Sequence, residues 1–261
     1  MKIKLLFLLL LPLTALAQET ERTRIQMIGV GSVNLLDTYL SPENYNGVEL
    51  RYLSISQRES LKHPDISYIT THEAHVSLSH NRADNNNELA GMYNFQFAVH
   101  RNWHLLNDKL TLHAGPGIDA NIGMLYNMRN GNNPTQAKIS LNVAPSTGVS
   151  YLFNIKNRPF RISYDAMLPL AGLMFAPNYG QSYYEIFNRG NYDKNIRFTT
   201  WASTPSLRHS LAIDFKLGRT TFRAAYLGDY QQAKINHLKY HSYSNMLMLG
   251  VVSHFAVRKL K

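Results

Sequence analysis

The sequence predicts an all-β fold: an antiparallel up-and-down transmembrane β-barrel of about ten strands, with about eight to twelve compatible with the pattern. Three observations predict it. A removable export signal stands at the front of the chain, ten stretches behind it alternate apolar with polar residues, and the links between them alternate between short and long.

The export signal comes first. Lys2 and Lys4 form a basic head, Leu5 to Leu16 an apolar core, and Ala15-Leu16-Ala17 a small-residue cleavage site before Gln18. This reads as a signal peptide over 1–17 followed by a single outer-membrane β-barrel domain over 18–261. The chain contains no Cys, which excludes both a lipoprotein anchor and a disulfide framework. No later stretch reaches the roughly 18 apolar residues of a membrane-spanning helix. The formal charge of +10 falls to +8 without Lys2 and Lys4 (10 − 2 = 8). An exported chain does not meet nucleic acid. The partners expected of it are outer-membrane lipid, lipopolysaccharide with its phosphates, or other membrane proteins.

The strands follow in order. Segments 25–33 and 47–58 carry a noisy alternation, whereas 66–80 and 89–103 fit with minor breaks. Segment 109–126 is the cleanest. Leu110, Leu112, Ala114, Ile118, Ala120, Ile122 and Met124 share one face; Thr111, His113, Asp119 and Asn121 share the other. Side chains alternate across a strand, so a period of two over this length marks a strand longer than the usual soluble one of about 5–6 residues. In 137–153, Ile139, Leu141, Val143, Val149, Tyr151 and Phe153 oppose Lys138, Ser140, Asn142 and Ser150. Segments 159–171 and 207–217 repeat the pattern, 220–232 fits with minor breaks, and 243–257 is noisy again. Short links near 59–65, 104–108, 155–158 and 217–219 read as periplasmic turns. Longer ones near 34–46, 81–88, 127–136, 174–206 and 233–242 read as outer loops, with both termini periplasmic.

Alternation alone leaves open which face is inside, because a lipocalin-like soluble barrel also alternates. The polar face is rich in Ser, Thr, Asn and Gly rather than Lys and Glu, which favours a lumen over a solubilised exterior. Pro145, midway along a segment, calls for a bulge, since a closed barrel has no free edge for a residue without a donor.

Four strings carry a resemblance to a known family: Leu35-Leu36-Asp37-Thr38-Tyr39-Leu40-Ser41-Pro42, Asn86-Asn87-Glu88-Leu89-Ala90-Gly91-Met92-Tyr93, Asn178-Tyr179-Gly180-Gln181-Ser182-Tyr183-Tyr184-Glu185 and Tyr226-Leu227-Gly228-Asp229-Tyr230-Gln231-Gln232. Through them the chain resembles an uncharacterised family of exported proteins from gut-type Gram-negative anaerobes, known as a domain of unknown function. The resemblance implies an outer-membrane barrel and brings no activity and no catalytic residues.

Candidate sites are of three kinds. Glu73, His75 and Ser77 share one strand face at i, i+2 and i+4, the elements of an activated serine. The alternation turns them toward the lumen, where they read as polar lining; the alternative is a lipid or lipopolysaccharide hydrolase using His75 and Ser77. Inward charges and amides of both signs form the second kind: Glu49, Arg51, Glu73, Asp119, Asn121, Lys138, Arg161, Asp165, Arg208, Asp214, Lys216, Arg223 and Asp229. A barrel near ten strands is filled by side chains, so these are expected to pair across a plugged lumen, with Arg161 and Asp165, at i and i+4 on one strand, joining that network. A narrow solute pore is the further alternative. The third kind is the ring-rich 174–206 loop, with Tyr179, Tyr183, Tyr184, Phe187, Tyr192 and Trp201 as a contact surface. Adjacent His209 and Ser210 point to opposite faces. His72-Glu73-Ala74-His75 falls one residue short of HExxH, and His237 with His241 is half a zinc shell. Neither a metal nor a cofactor is expected.

Overall fold

The computed structural model describes residues 20–257; the signal peptide expected at 1–17 lies outside the described residues. In chain order the strands are β1 (Thr20–Asp37), β2 (Ser41–Glu59), β3 (Ile66–Asn81), β4 (Asn87–Leu105), β5 (Leu110–Gly115), β6 (Gly117–Asn127), β7 (Thr135–Val143), β8 (Ser146–Ile155), β9 (Arg158–Met167) and β10 (Ala171–Phe175). A one-turn helix α1 (Tyr183–Phe187) follows, then β11 (Ile196–Thr200), β12 (Leu207–Leu217), β13 (Thr220–Ile235) and β14 (Leu238–Val257). All ladders are antiparallel. β4–β3–β2–β1–β14–β13–β12–β9–β8–β5 closes into a ring through the β4–β5 pairing. The other four strands, β6, β7, β10 and β11, continue β5, β8, β9 and β12, so the 14 strands make ten staves.

Four neighbouring staves are interrupted, each at a proline: Pro116, Pro145, Pro169 and Pro205. Proline lacks the N–H that a ladder needs. The bulge expected at Pro145 is not there. Gly115–Ser146 below the break and Ile118–Val143 above it belong to one register. The extra residue sits one stave later, where Val143 and Ser146 face Ala171 and Met167, so four steps of chain oppose three.

The polar face is inside. Leu141 is 53% exposed on the outer wall while Asp119 is 3% exposed in the lumen. Ile118, Ile122, Met124, Ile139, Val143 and Ile162 share the outward band with Leu141. This apolar exterior suits acyl chains, and the β4–β5 pairing closes the ring at its lower level. One side of the lumen departs from the polar rule: Ile25, Met27, Leu53, Leu227, Met246, Met248 and Val252 pack together there.

The connections are tighter than expected. Strands run through much of the supposed outer loops, leaving 38–40, 82–86, 128–134 and 236–237 as turns and only 176–195 as a long excursion. Thr20 pairs with Val257, so both ends of the described chain lie together at the end that carries the 60–65, 106–109, 156–157 and 218–219 turns.

Candidate functional site

Alternation aims one polar side chain from each of several staves at the same level of the lumen. The centre is Arg51 of β2, fully buried. Its Nη1 lies 3.0 Å from Glu73 of β3 and 2.8 Å from Asp229 of β13, and its Nη2 lies 2.6 Å from Glu49. Arg208 of β12 reaches the same Asp229 carboxylate at 2.8 Å and donates to Asn94 of β4 at 2.8 Å. Asn94 donates on to Asp119 of β6 at 2.6 Å. Asn121 and Asn142 donate to the other oxygen of Asp119, and Ser244 of β14 donates to Glu49. A continuous charge-assisted network thus runs from one wall to the other. Ions this buried persist only when partners surround them.

Two more pairs flank it. Lys138 is 2.5 Å from Asp37 and sits 3.7 Å above the Tyr240 ring, toward the outer end. Arg223 and Asp214, direct cross-strand partners, form a bidentate pair at 2.5 and 2.7 Å. Arg161 does not pair with Asp165. Residues i and i+4 on a strand stand about 13 Å apart, beyond salt-bridge reach. Asp165 instead meets His113 at 2.9 Å, and Arg161 is exposed at the end of the barrel that carries the chain termini, as is Lys216.

The 176–195 excursion folds across the outer mouth. Ser182 caps α1 by accepting from the Glu185 N–H, while the Glu185 carboxylate accepts from the Ser182 N–H. That reciprocal bond holds the Glu185 carboxyl below its ordinary pKa. Tyr183 turns inward: its hydroxyl donates to Gln136 at 2.8 Å and accepts from the Ala137 N–H at 2.6 Å. Burial, and then the Asp37 carboxylate, push this phenol up to about 12. Tyr183 therefore belongs to the plug, whereas Tyr179, Tyr184, Phe187, Tyr192 and Trp201 remain exposed on the outer side.

Glu73, His75 and Ser77 lie in the lumen as the alternation implies, all buried. His75 Nδ1 is 3.8 Å from Glu73 Oε1, and Ser77 Oγ has no hydrogen-bond partner, so no serine–histidine contact forms. A different pair does form. Below the network, a cavity of 290 Å³ has an apolar wall from Ile25, Met27, Leu53 and Met248 and a polar wall from His100, His113, Ser146 and Asp165. His100 Nε2 and Ser146 Oγ are 2.6 Å apart, and the two imidazoles stack at 4.8 Å. Gly148 makes the neighbouring pair possible, because a Cβ there would stand 2.4 Å from Asp165 Oδ1 and 2.5 Å from His113 Nε2. These residues come from β4, β5, β8 and β9. His113 and Asp165 read as inward in the sequence, but their meeting with His100 and Ser146 depends on which staves adjoin, which single-strand spacing does not carry. Among the described residues no group of three His, Cys, Asp or Glu side chains is placed to hold a metal.

Comparison with known proteins adds the family. The model described as "Protein of unknown function (DUF3316)" matches residues 3–261. No curated protein matches the chain. Among solved structures, the chain is similar to the outer membrane protease OmpT from Escherichia coli, at 8% identity, with 92% of this chain and 99% of that one covered and a TM-score of 0.48. It is similar to the transport unit of the autotransporter AIDA-I from Escherichia coli, at 8% identity, 94% coverage of both and a TM-score of 0.45. The translocator domain of the autotransporter NalP from Neisseria meningitidis aligns at 10% identity over 92% of this chain and 90% of that one, with a TM-score of 0.37.

Proposed function

The chain belongs to that family, and from this premise we propose that it is a small, occluded barrel of the bacterial outer membrane with a surface-binding or accessory role. The observation that carries the reading is the network of Arg51, Arg208, Glu49, Glu73, Asp119 and Asp229, which crosses the lumen from wall to wall. With the passage obstructed, work falls to the outer rim and the outer wall. Tyr179, Tyr184, Phe187, Tyr192 and Trp201 stand exposed there, and large rings of this kind dominate contact energetics at interfaces. Outer-membrane lipid, lipopolysaccharide and neighbouring membrane proteins are the partners this position offers. Planar-bilayer recording tests the occlusion: no discrete conductance is expected, and stable single-channel steps in the wild-type protein would replace this reading with that of a narrow solute pore.

A second reading, hydrolysis of a lipid ester, is favoured by one contact, His100 Nε2 to Ser146 Oγ at 2.6 Å beside a cavity with an apolar wall. Such a pair can take a proton from the serine as it attacks an acyl carbon. His75 and Ser77, which lack that contact, are the weaker site. Labelling of detergent-folded protein by a fluorophosphonate, lost in Ser146→Ala and kept in Ser77→Ala, supports hydrolysis; no labelling retires it.

A further inference from the structure

The upper wall is not one continuous ladder. β11 pairs with β10 alone, and the β12–β13 ladder stops at Leu207–Tyr230, so β13 above that point has no strand on this flank. The 201–206 segment bridges the interval: the Lys234 N–H donates to Ser203 O at 2.9 Å, and the Gln232 N–H to Ser206 Oγ at 3.2 Å. Above it, the Asn236 amide donates to Ala176 O and Lys194 O, both at 3.0 Å. What remains at the rim is a concavity lined by Asn178, Lys194, Arg197, Lys234, Asn236 and His237.

Its charge is one-sided. Three permanent cations and one imidazole line it and no carboxylate does. None of the three cations takes part in an ion pair among the described residues. Three like charges gathered around one hollow repel one another, and a multivalent anion relieves that repulsion. The chemistry around them suits phosphate: Arg197 offers a planar fork, Lys194 and Lys234 point charges, and Asn178 an amide donor. Beside the cations the same strand turns apolar. Ile196 and Phe198, on the face of β11 opposite to Arg197, are 72% and 71% exposed, and Phe198 faces the exposed Leu173 across the ladder. A cationic hollow next to an outward apolar strip matches a molecule with a phosphorylated head and acyl tails.

We propose that Lys194, Arg197 and Lys234 form a phosphate site for the phosphorylated headgroup of an outer-leaflet lipid, whose acyl chains lie along Ile196, Phe198 and Leu173. This deepens the surface-binding reading by naming the ligand chemistry, and it rests on that reading. The two fail separately, because conductance tests the occlusion and lipid binding tests the site.

The test is calorimetric titration of the full protein, folded in zwitterionic detergent, with bisphosphorylated lipid A, with the same lipid stripped of its phosphates, and with inorganic phosphate. Bisphosphorylated lipid A is expected to bind at least tenfold more tightly than either of the other two. In K194Q/R197Q/K234Q that preference disappears, whereas Arg24→Gln, an exposed cation at the opposite end of β1, leaves it intact. All four changes are at exposed positions, and circular dichroism of each variant checks that the barrel is kept. Equal affinity for both lipids, or a preference that survives the triple variant, overturns the site. Inorganic phosphate binding as tightly as the lipid overturns the lipid assignment.

Discussion

Two walls of this barrel obey different rules. On β6 and β7, inward Asp119, Asn121, Lys138, Ser140 and Asn142 alternate with outward Ile118, Ile122, Ile139, Leu141 and Val143. On β1 and β14, inward Ile25, Met27, Met246, Met248 and Val252 are as apolar as outward Ile28, Val30, Leu247 and Leu249. Lumen and lipid are chemically distinct solvents for the first wall and nearly the same solvent for the second. The β1–β14 side of the lumen is a packed hydrophobic core, while the β6–β7 side is an ionic and amide layer. Further up, the outer face of the second wall turns polar. Asn245 accepts from Tyr226 and Tyr230 hydroxyls at 2.6 and 2.7 Å, and Asn34 donates to Asn46 and lies 2.6 Å from His241 Nε2. These groups satisfy one another, whereas the outward face of β6 presents Ile122 and Met124.

The sharpest way to break this contrast is to remove the residue that ties the polar layer together. Arg51→Ala leaves Glu49 without an ion partner and Glu73 and Asp229 with Arg208 alone, a loss of roughly 3–5 kcal/mol for a broken buried pair. Urea unfolding in lipid vesicles reads it. On the apolar side, Met246→Ala opens a cavity and costs roughly 2–5 kcal/mol in the same assay, as in a soluble core. A near-zero cost would mean that this side of the lumen is wet. For the exterior, Leu141→Arg places a charge against acyl chains at a cost of roughly 2–4 kcal/mol, and the same change at Asn34 on the polar upper wall costs under about 1 kcal/mol. Equal costs would erase the difference between the walls. The smallest effect belongs to the cap of α1. Because folding lowers the Glu185 pKa, its contribution is complete above the ordinary carboxylate value and fades as pH falls through the folded one. Limited proteolysis of 176–195 should therefore quicken as the medium is acidified into that window, with a flatter profile in Glu185→Gln.

The same contrast explains what could be read from the sequence. Segment 109–126 announces its strand and its inner face because Asp119 and Asn121 interrupt Ile118, Ala120 and Ile122. Segments 25–33 and 243–257 look noisy because both of their faces are apolar, so the period of two has little contrast to ride on. Strand ends were blurred for a related reason. Polar residues such as Asn34 and Asn46 resemble loop residues, yet they continue strands on the polar upper wall. Within the lumen, Arg51, Glu73, Arg208 and Asp229 are identifiable as inward charges. That they share one level follows from the stagger between staves, which no single strand encodes. The His100–Ser146 contact and the cationic hollow at Lys194, Arg197 and Lys234 lie beyond sequence reading for the same reason: each joins staves distant in the chain.

The most direct test uses the absence of native Cys. A single cysteine at each position from 118 to 125, carrying a nitroxide in vesicle-folded protein, reports its surroundings by collision with oxygen in lipid or with a water-soluble nickel chelate. The account predicts high oxygen contact at 118, 122 and 124, and low contact with both reagents at 119, 121 and 125. Nickel contact at 118, 122 and 124, or oxygen contact at 119 and 121, would contradict it.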